Sequence, residues 1–238
     1  MNSKTIQGQI EYNLTIVNNN LKYFKPNTSR SQKTFANDIY TSLGNEPKSI
    51  SPKFFYNETG SKLFDEICSL SEYYPYRAEI EILNDIQNKI KSYIFSEFRL
   101  VELGSGSSVK TRLLLDALYN LQTNVEYIPI DISDILTHST QELCRIYKDL
   151  KITGIVDTYE NGLDFIKNYD SKPNLISFLG SSFGNFNHDE GMEFLQIIHD
   201  MMKDSDLFLI GFDLKKDPVT LHNAYNDSKG VTARFNLN

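Results

Sequence analysis

The sequence predicts a doubly wound α/β domain: an open, parallel sheet with helices on both faces. Three observations carry that expectation. Five short apolar runs, beginning near Leu100, Val125, Ile152, Asn174 and Leu207, alternate with stretches of helical period. Each run ends at a glycine or a carboxylate, namely Gly104, Asp131, Asp157, Gly180 and Asp213, at the carboxyl ends of strands where such sheets hold ligands. A chain of 238 residues with 40% hydrophobic content is long enough to bury one core of this class.

Residues 1–30 are polar around Asn18-Asn19-Asn20 and read as an extension, although the alternation of Ile10, Tyr12, Leu14 and Ile16 permits one short strand. A helix is predicted from Lys33 to Leu43, closed by Gly44-Asn45 and Pro47. Ser51 to Arg77 is dense in aromatics (Phe54, Phe55, Tyr56, Phe64, Tyr73, Tyr74 and Tyr76) and predicts a helical lobe packed on the sheet. Its tyrosines can bury their rings while presenting hydroxyls to a polar ligand. Ile80, Leu83, Ile86 and Ile90 at helical spacing predict a helix from Arg77 to about Tyr93.

From Phe98 to Leu121 the apolar period changes from strand to helix. Leu100, Val101 and Leu103 form the strand, and Val109, Leu113, Ala117 and Leu121 recur every four residues. Between them, Gly104-Ser105-Gly106-Ser107-Ser108 lets the backbone turn sharply, and the first N–H groups of the helix offer donors to an anion or hydroxyl. That arrangement suits a nucleotide-like cofactor. Glu102 on the strand and Lys110 in the first helical turn strengthen that reading, because a carboxylate inside an apolar run usually has a partner.

Val125 to Asp131 reads as the second strand, and its terminal Asp131 either accepts both hydroxyls of a ribose or caps the next helix with Ser133. A helix through Leu136, Leu143, Ile146 and Leu150 leads to a third strand, Ile152 to Val156, ending at Asp157. The fourth strand, Asn174 to Leu179, stops at Gly180, and Asn187 with Glu190 forms a capping box for a helix carrying Phe194, Leu195, Ile198 and Met202. Leu207 to Phe212 is the fifth strand. The expected organisation is an extension over 1–30, the helical lobe over 31–95, the sheet domain over 96–215 and the start of a second lobe segment over 216–238.

A formal charge of −7 with no basic tract argues against a nucleic-acid-binding surface. Cys68 and Cys144 lack metal-type spacing, the four histidines are scattered, and no N-terminal apolar run resembles a signal peptide or membrane span. The chain therefore reads as cytoplasmic, metal-free and not membrane-bound.

Gly180-Ser181-Ser182-Phe183-Gly184 matches a nucleophile elbow, and Ser182, Asp213 and His222 follow hydrolase order. Against this, the elbow needs a helix directly after the serine, whereas the capping box places the helix start near Asn187.

Five blocks taken together are more specific than any one. They are Phe54-Phe55-Tyr56 with Gly60-Ser61-Lys62-Leu63-Phe64, Glu72-Tyr73-Tyr74-Pro75-Tyr76-Arg77, Glu102-Leu103-Gly104-Ser105-Gly106, Phe178-Leu179-Gly180-Ser181-Ser182-Phe183-Gly184-Asn185 and Gly230-Val231-Thr232-Ala233-Arg234-Phe235-Asn236. In order and spacing they resemble the histidine-specific, S-adenosylmethionine-dependent methyltransferases that make trimethylhistidine for ergothioneine. The resemblance spans about Ser51 to Asn238, and tryptophan-derivative N-methyltransferases share the pattern.

The resemblance implies a Rossmann-like class I methyltransferase sheet with a small N-terminal helical substrate lobe, S-adenosylmethionine as cofactor and an amino acid as small-molecule substrate. It places the cofactor loop on Gly104, Ser105, Gly106 and Lys110, the ribose acid on Asp131 with Ile132 beside it, the adenine-side acid on Asp157, and a further glycine on Gly180. Thr158 stands where the family usually has Phe, leaving adenine stacking to another residue such as Tyr159. Asn185 and Tyr73 match the residues that hold the substrate carboxylate; Tyr56 and Tyr225 match further substrate contacts, with Tyr56 also the catalytic candidate. Family members continue past the position of Asn238 with imidazole-binding residues and two more strands. The resemblance accordingly implies a monomeric full-length form and, for the 238 residues alone, an exposed fifth strand, self-association, weak S-adenosylmethionine binding and no measurable histidine methylation.

Overall fold

In a computed structural model, which describes residues 10–27, 31–106, 108–132 and 135–238, the five apolar runs form the parallel strands of one sheet. In chain order these are β3 (Arg99–Leu103), β4 (Glu126–Ile130), β5 (Lys151–Ile155), β6 (Asn174–Phe178) and β7 (Leu207–Ile210). The inner strands are apolar at consecutive positions because both faces are covered. Leu100, Tyr127, Ile152 and Leu175 pack on one side with Leu114 and Leu118 of helix α4 (Val109–Tyr119) and Leu136 and Leu143 of α5 (Ile135–Ile146). Their neighbours Val101, Ile128 and Ile176 pack on the other with α6 (Tyr159–Lys167) and α7 (His188–Met201), through Leu163, Ile166, Phe194 and Ile198.

The N-terminal stretch that reads as an extension is instead part of the sheet. Strands β1 (Tyr12–Asn18) and β2 (Leu21–Pro26) form an antiparallel hairpin, and β2 pairs in parallel with β5 from Leu21↔Ile152 to Phe24↔Ile155. One short alternating strand is weak evidence by itself. Its partner, Leu21-Lys22-Tyr23-Phe24, buries Leu21 and Tyr23 on one face and Phe24 on the other. Sheet order is β1-β2-β5-β4-β3-β6-β7, so β7 is an edge strand among the described residues.

Helix α1 covers Ser31–Gly44, and helix α2 (Glu58–Cys68) is capped by Asn57, whose side chain accepts from Gly60 N. Helix α3 begins at Tyr74, three residues before the expected start, and ends at Lys89, where a 3-10 turn takes over. Pro75 initiates this helix, because proline at the first helical positions forfeits no backbone bond. Helix α6 is absent from the sequence-based expectation: its N-cap is Thr158, beside the carboxylate of Asp157 that reads as a ligand. The capping box at Asn187 and Glu190 is present on α7. Two short helices, α8 (Pro218–Tyr225) and α9 (Val231–Asn236), close the chain, and Val231 and Phe235 pack with Leu63, Ile67 and Tyr73 in a third cluster. No helix among the described residues is long and apolar enough to cross a membrane.

Candidate active site

The order of strands reverses direction between β3 and β6, and a sheet of this kind opens a crevice at the carboxyl ends of just such a pair. Gly104 follows β3 and Gly180 lies two residues beyond β6, so both glycines border the crevice. Each adopts a left-handed conformation, with φ of 75° and 82°, that other residues enter only with strain. A side chain on Gly104 would also meet the Tyr159 hydroxyl at 2.9 Å. Ser105 is buried without a well-formed hydrogen bond at its Oγ; the Tyr127 hydroxyl lies nearby but commits its proton to Glu102. An orphaned hydroxyl, a bare backbone turn and the first N–H groups of α4 together fit a polar, nucleotide-like group. Ser107 and Ser133 lie outside the described residues, and with Ser133 the expectation that it and Asp131 cap a helix.

Glu102, the carboxylate in the apolar run, accepts from the Thr111 hydroxyl at 2.7 Å and the Tyr127 hydroxyl at 2.6 Å. Burial raises its pKa to about 7 despite those bonds. Lys110 pairs with Glu79 at 2.8 Å, and its ammonium also lies 5.9 Å from the centre of the Tyr76 ring.

Asp131 stands just beyond β4, its amide donating to the Ile155 carbonyl, and Ile132 next to it is half exposed. The carboxylate is near enough for its charge to raise the pKa of Tyr56, Tyr159 and Glu102. Asp157 is turned toward its own surroundings: one oxygen accepts from Tyr12 at 2.8 Å, the other from Thr158 N and the Asn161 side chain. Tyr159 packs edge-on against Phe178 with its hydroxyl directed at Gly104.

The lobe tyrosines form one aromatic chain. Tyr73 and Tyr225 meet edge to face at 5.8 Å, Phe64 contacts both Tyr73 and Tyr56, and Tyr56 lies 5.3 Å from Phe235. Tyr73 is buried, whereas Tyr56 and Tyr225 are partly open, at 38% and 51%. Burial pushes the Tyr56 phenol up to about 12 and Tyr73 higher still, so at neutral pH these groups are hydrogen-bonding phenols rather than standing bases. Asn185 ends the 3-10 turn Ser182–Asn185 beyond Gly180 and is exposed.

The hydrolase arrangement is not assembled. Ser182 donates to the Leu179 carbonyl, His222 contacts Asn226, and the Asp213 carboxylate is taken by Tyr74 and Lys216. Ser182 opens a 3-10 turn, not the helix that an elbow requires.

Two groups of the site are missing from the sequence-based expectation: Tyr12 and Glu79. Only Glu79 carries a signal, since it shares a helical stripe with Leu83, Ile86 and Ile90, and a carboxylate in that register needs a buried partner.

A family model for histidine-specific, SAM-dependent methyltransferases matches residues 35–238. The chain is 40% identical over 202 residues to the histidine N-alpha-methyltransferase of Mycobacterium tuberculosis, covering 84% of this chain and 62% of that protein. It is 38% identical over 194 residues to ergothioneine biosynthesis protein 1 of Neurospora crassa, covering 81% of this chain and 22% of that protein. A 4-dimethylallyltryptophan N-methyltransferase of Claviceps purpurea is 29% identical over 203 residues, covering 81% of this chain and 59% of that protein. A solved methyltransferase structure from Thermobifida fusca superposes with a TM-score of 0.52 at 12% identity, over 80% of this chain and 71% of that one, which is likeness of fold alone.

Proposed function

The chain belongs to the histidine-specific, S-adenosylmethionine-dependent methyltransferase family, and from that premise we propose that it methylates the α-amine of L-histidine to trimethylhistidine (hercynine), for ergothioneine biosynthesis. The observation that carries the proposal is the placement of the left-handed Gly104 turn at the reversal of the sheet, with Tyr56 and Tyr159 within reach of the charge of Asp131. The chain spans 62% of the length of the Mycobacterium tuberculosis relative, so the activity of the whole protein belongs to the same proposal. The two free cysteines accord with a cytoplasmic location, and a free amino acid is a sufficient partner for a monomer.

When bound, S-adenosylmethionine supplies an electrophilic methyl group on a sulfonium sulfur. Gly104, Ser105, Gly106, Lys110 and Gly180 would border it, Asp131 would accept from its ribose, and Ile132, Asp157 and Thr158 would lie toward its base. The chain itself need provide no covalent nucleophile: its work is to hold a neutral amine close to the methyl carbon and keep water out. Asn185 and Tyr73 would fix the substrate carboxylate, while the faces of Tyr56 and Tyr225 accommodate the growing cationic ammonium. Since the phenols stay protonated, the proton shed at each step leaves through a hydroxyl and water instead of resting on a tyrosinate.

Calorimetric titration with histidine and tryptophan in the presence of S-adenosylhomocysteine tests the assignment. Histidine binding is expected; binding of tryptophan alone would transfer the chain to the tryptophan-derivative branch. Asp131→Ala is expected to weaken S-adenosylhomocysteine binding by roughly 1.5 kcal/mol, the lower end for hydrogen bonds to a charged group. A change below about 0.3 kcal/mol would remove Asp131 from the cofactor site, since even a weak charged hydrogen bond exceeds it. Asn185→Ala should raise the KM for histidine about fivefold with cofactor affinity unchanged, the signature of lost ground-state binding. Parallel loss of both affinities would make Asn185 a loop-shaping residue.

A further inference from the structure

We propose that Glu79 is a positioning residue of the cofactor site, locking the Lys110 ammonium and the Gly180 turn to helix α3 of the tyrosine lobe. This rests on the S-adenosylmethionine reading above. One carboxylate holds three elements together. Its Oε2 accepts from Lys110 Nζ at 2.8 Å, and Oε1 and Oε2 both accept from Gly180 N, at 2.8 and 3.0 Å. Gly211, just past β7, completes the niche: a Cβ there would overlap Glu79 Oε1 and come within 3.3 Å of its Cδ. The ion pair is largely sheltered, at 20% and 13% side-chain exposure, so the interaction is not dispersed into solvent as a surface pair is.

The consequence stems from the freedom of lysine. An ammonium on four methylenes samples many rotamers, and a fixed partner removes that freedom before a ligand arrives. Held by Glu79, Lys110 Nζ lies 3.1 Å from where a Cβ on Gly180 would stand, so it faces the turn after β6 as well as its own loop after β3. A cation in that place recognises a carboxylate, which the cofactor carries on its amino-acid end and lacks on its nucleoside end. Glu79 sits five residues beyond Tyr74, the first residue of α3, and shares a helix with the aromatic segment after Tyr73. Docking of α3 and shaping of the cofactor's amino-acid pocket are therefore one event.

The test compares two ligands and two routes to the same disturbance. Glu79→Gln keeps an oxygen for Gly180 N but loses the ion pair. Gly211→Ala keeps the charge but displaces the carboxylate, leaving the Gly211 N bond to the Phe178 carbonyl intact. Each is expected to weaken S-adenosylhomocysteine binding about tenfold, and 5′-methylthioadenosine, which has no carboxylate, less than about twofold. The double variant should lose no more than either single one, and neither should weaken binding further in a Lys110→Met background. Equal loss for both ligands would reveal general damage to the fold and overturn the proposal. Unchanged or tighter S-adenosylhomocysteine binding in Glu79→Gln, or losses that multiply, would likewise overturn it. If the unaltered protein binds neither ligand, the cofactor reading itself fails, which is a separate result.

Discussion

Gly60→Ala is expected to destabilise the aromatic lobe by about 3 kcal/mol, the upper range for forcing an atom into a packed site. In most helices this exchange would be favourable by about 1 kcal/mol, since glycine is the costlier helical residue. Here the added Cβ would overlap the Phe55 carbonyl oxygen and lie 2.9 Å from its carbon, so backbone has to move. The segment that moves carries Phe55 and Tyr56, whose rings rest on Phe235 of α9 at 5.6 and 5.3 Å. Histidine affinity should therefore collapse, while S-adenosylhomocysteine affinity, built on β3, β4 and β6, stays within about twofold. Denaturant unfolding and calorimetry read the two effects. A stability loss under about 1 kcal/mol would show that the turn before α2 yields freely.

Glu102→Gln is expected to abolish a pH dependence of stability. The folded carboxyl titrates near 7 against an ordinary value of 4.5, because full burial outweighs the bonds from Tyr127 and Thr111 and the field of Lys110, with the charge of Asp131 adding to the upward shift. A raised pKa means that the native state holds its proton more tightly than the unfolded chain. The group's stabilisation is thus complete below about 4.5 and is lost as pH rises through about 7. Across that window the loss amounts to about 3 kcal/mol. The difference in unfolding free energy between the protein and Glu102→Gln, measured by urea titration at several pH values, should shift by that order. A constant difference from about pH 4 to 8 would show that the folded carboxyl titrates as it does in the unfolded chain, its burial fully offset by Thr111, Tyr127 and Lys110.

Local pattern carried much of the architecture. Apolar runs without polar alternation, such as Leu100-Val101 and Ile128, can be satisfied only by a sheet covered on both sides, and the two clusters that divide those residues bear this out. The capping box at Asn187 and the left-handed glycines after β3 and β6 were likewise legible, since caps and turns depend on residues a few positions apart. What misled was local as well: the helix expected from Arg77 starts at Tyr74, with Pro75 in its first turn, and the helix that Thr158 caps has no counterpart in the expectation.

By itself, then, the sequence determined the class of sheet, the order of its parallel strands' turns, the family, and the glycine loop as the place to look. The family rests on the resemblance carried by five motif blocks, and the rest is encoded in short-range periodicity and in residues whose backbone preferences are intrinsic. Only the tertiary structure decided that β1 and β2 complete one side of the sheet, that Tyr12 reaches Asp157 across 145 positions, and that Glu79 joins Lys110 to Gly180 across 31 and 101. Such contacts depend on which carboxylate finds which donor once the elements have packed. A hydrogen bond of 2.8 Å between residues so far apart leaves no periodic trace, because its partners are chosen by the geometry of the folded chain.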